Sequence, residues 1–279
     1  MFGIILVFIG TLFEEISDSI GKYKISNREE SPYTLVFLNF FWGMIFFIAI
    51  VVWQSSAFVF KMASLPTFVL RAILEIIQLY VSVFALVEAD RTTFSFIRTV
   101  TIPLLLLADV FLGYKISLFP VIGIGVITLV LLILFSRHEI KKRGIGLVVF
   151  SAVNAVLTIS LFKYDITHFN SVVAEQMSIH LILLISSFFL ATFRGKENVF
   201  IFLTKPIFLL QSVPVGLGGV ITSFAYNYGA ASVITAAKRS GAIFWSLLSG
   251  RQYFHEKNIV FKILIMILLV IGLVFLVMN

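Results

Sequence analysis

The sequence predicts an all-α integral membrane protein, with ten transmembrane helices in two inverted five-helix repeats. Three observations carry that expectation. The chain is 60% hydrophobic and only 13% charged, whereas soluble domains are nearer half apolar and a quarter charged. Its apolar stretches are of membrane-crossing length, about 20 residues each. Its two halves also echo one another. Ser19-Ile-Gly-Lys22-Tyr23-Lys-Ile25 recurs as Ser160-Leu-Phe-Lys163-Tyr164-Asp-Ile166, about 141 residues later. The same offset pairs Asn39 with His180 and Phe47 with Phe188. It slips by one elsewhere, pairing Phe84-Ala85 with Phe224-Ala225 and Phe119 with Phe261.

Hydropathy places the spans near 2–21, 33–54, 66–87, 91–113 and 117–136, then 144–163, 171–193, 206–227, 229–250 and 258–278. Residues 1–139 form one repeat and 140–279 the other. Five is odd, so the second repeat enters the membrane from the opposite face. Two inverted halves meeting at the midplane describe a secondary transporter. The first apolar run lacks a basic leader and carries Glu14, Glu15 and Asp18, so it reads as a span and not a signal peptide. Connections are short, and none is long enough for a soluble domain.

The net charge of +7 lies mostly in these connections, which excludes a nucleic-acid surface. Lys and Arg concentrate in the odd-numbered loops, from Lys22, Lys24 and Arg28 to Arg251 and Lys257. The positive-inside rule then puts those loops in the cytoplasm and both termini outside. With no Cys there is no disulfide or thiolate-metal framework. His138, His168, His180 and His255 are not at ligand spacing, so no metal site is expected. No H-E-x-x-H, G-x-S-x-G or Walker loop occurs, so neither an enzyme nor an ATP-driven pump is expected. No cofactor is implied.

Ionisable groups within spans are costly and usually face a partner or a wet cavity. Glu14 lies about 18 Å along the first span from Phe2 at 1.5 Å per residue, past the expected midplane. Glu14, Glu15 and Asp18 either take up a proton or bind an amine, or form an i, i+4 ladder toward Lys22. Arg71, Glu75 and Gln78 share one face of the third span. They either wall a cavity, with Tyr80 and Ser82 nearby, or pair among themselves as Arg71 snorkels to the interface. Arg98 and Lys238-Arg239 stand at equivalent depths in the two repeats. They either bind an anionic group or pair with Glu75, Asp109 or Glu175. Glu175 lies near a span end and reads as interfacial. His180 is a core histidine or a proton relay. Asn154 and Thr158, with Tyr226 and Asn227, can hydrogen-bond a ligand. Pro214-Val-Gly216-Leu-Gly218-Gly219 either breaks its span or lets helices pack closely.

The pattern resembles the EamA family of the drug/metabolite transporter superfamily, across essentially the whole chain. The turns Phe111-Leu-Gly113-Tyr114-Lys115 and Gly250-Arg-Gln-Tyr-Phe-His255-Glu256-Lys257 carry the resemblance. So do the Phe-Ala pairs that lead into tight connections. Tyr114 stands where family members often have an acid. The resemblance implies ten spans and export or exchange of metabolites, amino acids among them. It also implies cytoplasmic termini, opposite to the charge bias.

Together these readings predict alternating-access transport of a small polar metabolite, such as an amino acid or other zwitterion. The substrate would lie among Glu14, Glu15, Arg71, Glu75, Tyr80, Arg98, Asn154, Tyr226, Lys238 and Arg239. The expected partners are the bilayer, that substrate, and a coupling proton or counter-substrate. The expected location is the plasma membrane of a prokaryote. A lipid or lipid-linked-precursor translocase is the alternative, as is a non-transporting membrane partner or sensor. Oligomeric state has no signature in the sequence.

Overall fold

The computed structural model describes residues 1–26, 29–88, 99–136, 145–254 and 259–278. Among the described residues each interval that hydropathy singled out holds a helix, the fourth only over Thr101–Phe111. The helices are α1 (Phe2–Ser26), α2 (Pro32–Trp53), α3 (Leu65–Glu88), α4 (Thr101–Phe111) and α5 (Leu118–Ser136). Then come α6 (Ile145–His168), α7 (Val172–Phe193), α8 (Pro206–Ala225), α9 (Ala231–Phe254) and α10 (Ile259–Val277). A five-residue helix, Val199–Leu203, precedes α8. Among the described residues 5 helices are long and apolar enough to cross a membrane, and shorter apolar helices accompany them.

Local chemistry fixes several helix starts. Ser31 caps α2 by accepting a bond from the Thr34 N–H, and Pro32 follows in the first turn. Proline suits that place because its missing N–H would be unpaired there anyway. Ser171 caps α7 in the same way, through the Ala174 N–H at 3.1 Å. Helices α1 and α6 both run about a turn beyond the spans expected from hydropathy. The backbone ladder continues past charged side chains wherever those find partners, as Lys163 and Asp165 do in α6.

The bundle is held by a small set of helix pairs. Helix α1 packs on α8 and α9, and α6 packs on α3 and α4. Helix α2 lies against α7 and α8, while α7 lies against α2 and α3. Helices α5 and α10 pair, as do α4 and α9. Moving every helix five places along the chain turns each pairing into another or into itself.

Alternating helix directions bring both termini to one end, here called the first end. Met1, Ser117, Tyr228 and Val277 line one cavity of about 160 Å³ there. The α6–α7 corner lies at the same end, tied to the segment after α2. The Ser171 N–H donates to the Val59 carbonyl at 2.8 Å, and the Val59 N–H to Ser171 Oγ at 3.1 Å. The α1–α2 corner and the segment after α7 form the second end.

The main core joins Val7, Leu105, Ile127, Phe162, Ile234 and Leu269. Outward faces are apolar too. On α3, Val69, Ile73 and Ile77 are exposed while Phe68, Arg71 and Ala72 are buried. That is the polarity of a helix bordering lipid.

Helix α8 stays continuous through Pro214, so the Gly-Pro segment does not break it. Its glycines serve close approach. A Cβ on Gly218 would lie 2.6 Å from the Gly10 carbonyl oxygen of α1. A Cβ on Gly216 would lie 2.7 Å from the Gly43 nitrogen of α2.

Candidate functional site

Glu14 is the middle residue of α1, because that helix runs on to Ser26. It therefore sits midway along α1. The α1 backbone is pressed onto α8 at Gly10 and Gly218, which brings Glu14 against Gly218. Trp245 of α9 ties the other side, its Nε1–H donating to the Phe8 carbonyl at 3.0 Å. Between these anchors Lys238 Nζ of α9 reaches Glu14 Oε1 at 2.8 Å. The side chains remain 34% and 20% exposed, so this ion pair borders open space.

Other predicted residues gather beside it. Arg239 is half-buried within electrostatic range of Glu14 and Tyr226, and its Nε has no hydrogen-bond partner among the described residues. The Tyr226 hydroxyl lies 3.1 Å from Thr235 Oγ1. The Tyr226 carbonyl accepts Lys163 Nζ at 2.6 Å. Two basic groups, one carboxylate and two hydroxyls thus converge from α1, α9 and the turn between α8 and α9. Such a set can meet a carboxylate and an amine at once.

A second group forms between α3, α6 and α7. Arg71 Nη1 donates to Glu175 Oε1 at 2.8 Å, with the side chains only 3% and 0% exposed. Arg71 Nη2 donates to Gln176 Oε1 at 3.3 Å, and the guanidinium lies 4.5 Å from the Phe162 ring centre. Asn170 Nδ2 donates to the other Glu175 oxygen at 2.6 Å. Glu75 is a looser neighbour of Arg71, at 3.7 Å. Deeper in the bundle Asn154 donates to Gln78 Oε1 and to the Leu74 carbonyl, both at 2.9 Å. Gln78 in turn donates to Ser151 Oγ at 2.6 Å.

Several expectations need correcting. Glu175 is not interfacial: it is fully buried and bound to Arg71. Arg71 is sealed inside and does not snorkel outward. Tyr80 joins neither group, because it is 41% exposed on the outward face with Ile73 and Ile77. Asp109 does not pair with Lys238. It accepts the Ser232 N–H at 2.7 Å and so caps the start of α9 from a neighbouring helix. Arg98 lies outside the described residues, as does the side chain of Asp18. Glu15 is half-buried beside the central pair. His180 packs edge-on against Phe40 and Phe47 and donates to or accepts from nothing charged among the described residues.

Sequence reasoning missed Glu30, Glu197 and Gln211. Glu30 lies between α1 and α2 yet is only 3% exposed. Gln211 Nε2 donates to its Oε1 at 2.7 Å. Glu197 accepts from the Ser31 N–H, from Ser31 Oγ and from the Thr34 hydroxyl. A carboxylate in a short polar connection looks solvated in a sequence, and nothing local marks its burial. Among the described residues no three His, Asp or Glu side chains gather closely enough to hold a metal ion.

No protein-family model matches the chain, and no curated protein sequence matches it either.

Proposed function

We propose that this chain is a secondary transporter of a small polar zwitterion, an amino acid being the simplest, bound at the Glu14–Lys238 pair. In this reading the ten helices are spans in two inverted five-helix repeats, and EamA-type architecture follows. The pairing of α1 with α8 and α9, and of α6 with α3 and α4, supports the repeat. The apolar outer faces support a bilayer, and the plasma membrane of a prokaryote is the proposed one.

The observation that carries the reading is an accessible ion pair in the middle of an apolar bundle. Opposite charges in such a place are costly unless they serve a ligand or each other. A substrate carboxylate would take Lys238 and Arg239 from Glu14, and a substrate amine would take Glu14. The empty protein keeps the charges paired, so neither is left bare when the substrate leaves. Rocking one repeat against the other would expose the site to each face in turn. Energy would come from a proton or a counter-substrate.

Proteoliposome flux tests this. Purified protein should carry a labelled amino acid, and Glu14→Gln and Lys238→Met should each lower flux at least tenfold while the protein stays folded. Undiminished flux in both variants would remove the pair from the site.

A second reading, a lipid translocase, has one observation in its favour. An apolar cavity of about 330 Å³ lies between α2 and α8, lined by Phe46, Ile50, Trp53, Leu217 and Val220. It could hold an acyl chain. Headgroup scrambling in vesicles, without flux of soluble substrates, would select that reading.

A further inference from the structure

At the second end, Glu30 and Gln211 meet in a geometry that is complete only when a proton is added. Glu30 precedes the cap residue of α2, and Gln211 lies about one and a half turns into α8. Both are buried, at 3% and 0% exposure. Gln211 Nε2 donates to Glu30 Oε1 at 2.7 Å. Two buried atoms have no partner among the described residues, Glu30 Oε2 and Gln211 Oε1.

An ionised carboxylate makes both of those atoms acceptors, and two acceptors cannot satisfy each other. A proton on Glu30 Oε2 turns that atom into a donor. The neutral acid and the amide are then complementary. The amide N–H donates to the acid carbonyl and the acid O–H to the amide carbonyl, closing a ring of two hydrogen bonds. One proton thus resolves two orphaned polar atoms, each costly to bury without a partner.

We infer that Glu30 and Gln211 form a proton-binding site, in which Glu30 is held as the neutral acid and its proton ties the α1–α2 connection to α8. The proposal goes beyond the transport reading and does not depend on it.

The surrounding charges agree. Glu197 and Glu29 face Glu30 as like charges, and among the described residues Lys24 of α1 is a nearby cation. Lys24 is committed to Glu29 at 2.6 Å. Helix α8 contributes only the neutral Gln211. Glu197 takes the local donors, from Ser31 and Thr34, and leaves none of them for Glu30. Burial first, and then the Glu197 charge, push the Glu30 carboxyl up to about 7 against the opposing Gln211 bond and Lys24.

The first end shows the contrast. By the 140-residue offset that pairs Phe84-Ala85 with Phe224-Ala225, Gln211 stands where Arg71 stands in the first half. Arg71 supplies a full cation, so Glu175 can be buried as an ion. Gln211 supplies only an amide, so the acid it meets must be neutral to be buried well.

Infrared difference spectroscopy of the full chain in lipid vesicles tests this. The carbonyl stretch of a neutral carboxylic acid should be present at pH 6, absent in Glu30→Gln, and lost on titration with a midpoint near 7. Gln211→Arg should move that midpoint down by at least one pH unit, by giving the second end the first end's chemistry. Size-exclusion chromatography checks that each variant is folded. If Gln211→Arg does not fold, the comparison with Glu30→Gln still decides. A wild-type spectrum at pH 6 with no band sensitive to Glu30→Gln would overturn the proposal, as would a midpoint near the ordinary 4.5.

Discussion

Two ion pairs of the same chemistry sit in this bundle in opposite surroundings. Arg71–Glu175 is sealed, with 3% and 0% exposure, and Asn170 donates to the second Glu175 oxygen. Glu14–Lys238 has the same 2.8 Å contact but 20% and 34% exposure. A sealed pair cannot exchange partners without unpacking helices, so it acts on the fold. An open pair can trade its partner for a ligand's charges at small structural cost. The difference separates scaffold from site better than the identity of the residues does.

The largest effect should come from breaking the sealed pair. Arg71→Ala leaves Glu175 buried and unpaired, and should destabilise the protein by about 3–5 kcal/mol. Denaturant unfolding in mild detergent would measure it. Replacing both partners at once, as Arg71→Met with Glu175→Leu, should recover most of that loss.

Next comes the helix contact that places Glu14. Gly218→Leu forces a side chain into the Gly10 backbone and should destabilise by about 1–3 kcal/mol. It should also lower flux, because α1 must shift. Unchanged melting would mean that the α1–α8 contact is looser than the structure has it.

Removing the Asp109 carboxylate should be milder. Asp109→Ala takes a cap from the start of α9, about 1 kcal/mol by comparison with other caps. A thermal melt would read it, and Asp109→Asn should retain part of the stability.

The smallest effect is a slope. Between the ordinary 4.5 and about 7, folded Glu30 keeps a proton that the unfolded chain has released. Stability contributed by this group therefore falls as pH rises through that window. The Tm of Glu30→Gln relative to wild type should accordingly climb from about pH 5 to about pH 7.5. A flat difference would place Glu30 among ordinary solvated acids.

The helices were legible in the sequence because membrane-length apolar runs are a strong and local signal. α2 and α7 start and end within a residue of expectation, since Ser31-Pro32 and Ser171 mark their starts. α6 runs further than expected, because Lys163 and Asp165 read as an interface and are instead buried with partners. The convergence of Tyr226, Lys238 and Arg239 on Glu14 was not legible. Glu14 and Lys238 are 224 residues apart, and charge alone offered Lys238 three other acids. Glu175 and Glu30 were misread or missed for one reason. Both lie at span ends, where a sequence shows polarity but not the neighbouring helix that covers it.

The most direct test of the account is ligand-induced stabilisation of the purified protein, in wild type and in Lys238→Met. A ligand at 100 times its Kd stabilises the folded state by about 2.7 kcal/mol. One amino acid from a panel should raise the wild-type Tm. Lys238→Met should stay folded without ligand, losing less than Arg71→Ala because Glu14 is 20% exposed and Arg239 lies within electrostatic range, and should show no shift with ligand. If Lys238→Met instead unfolds as Arg71→Ala is expected to, or keeps the full ligand shift, the open pair is not the site.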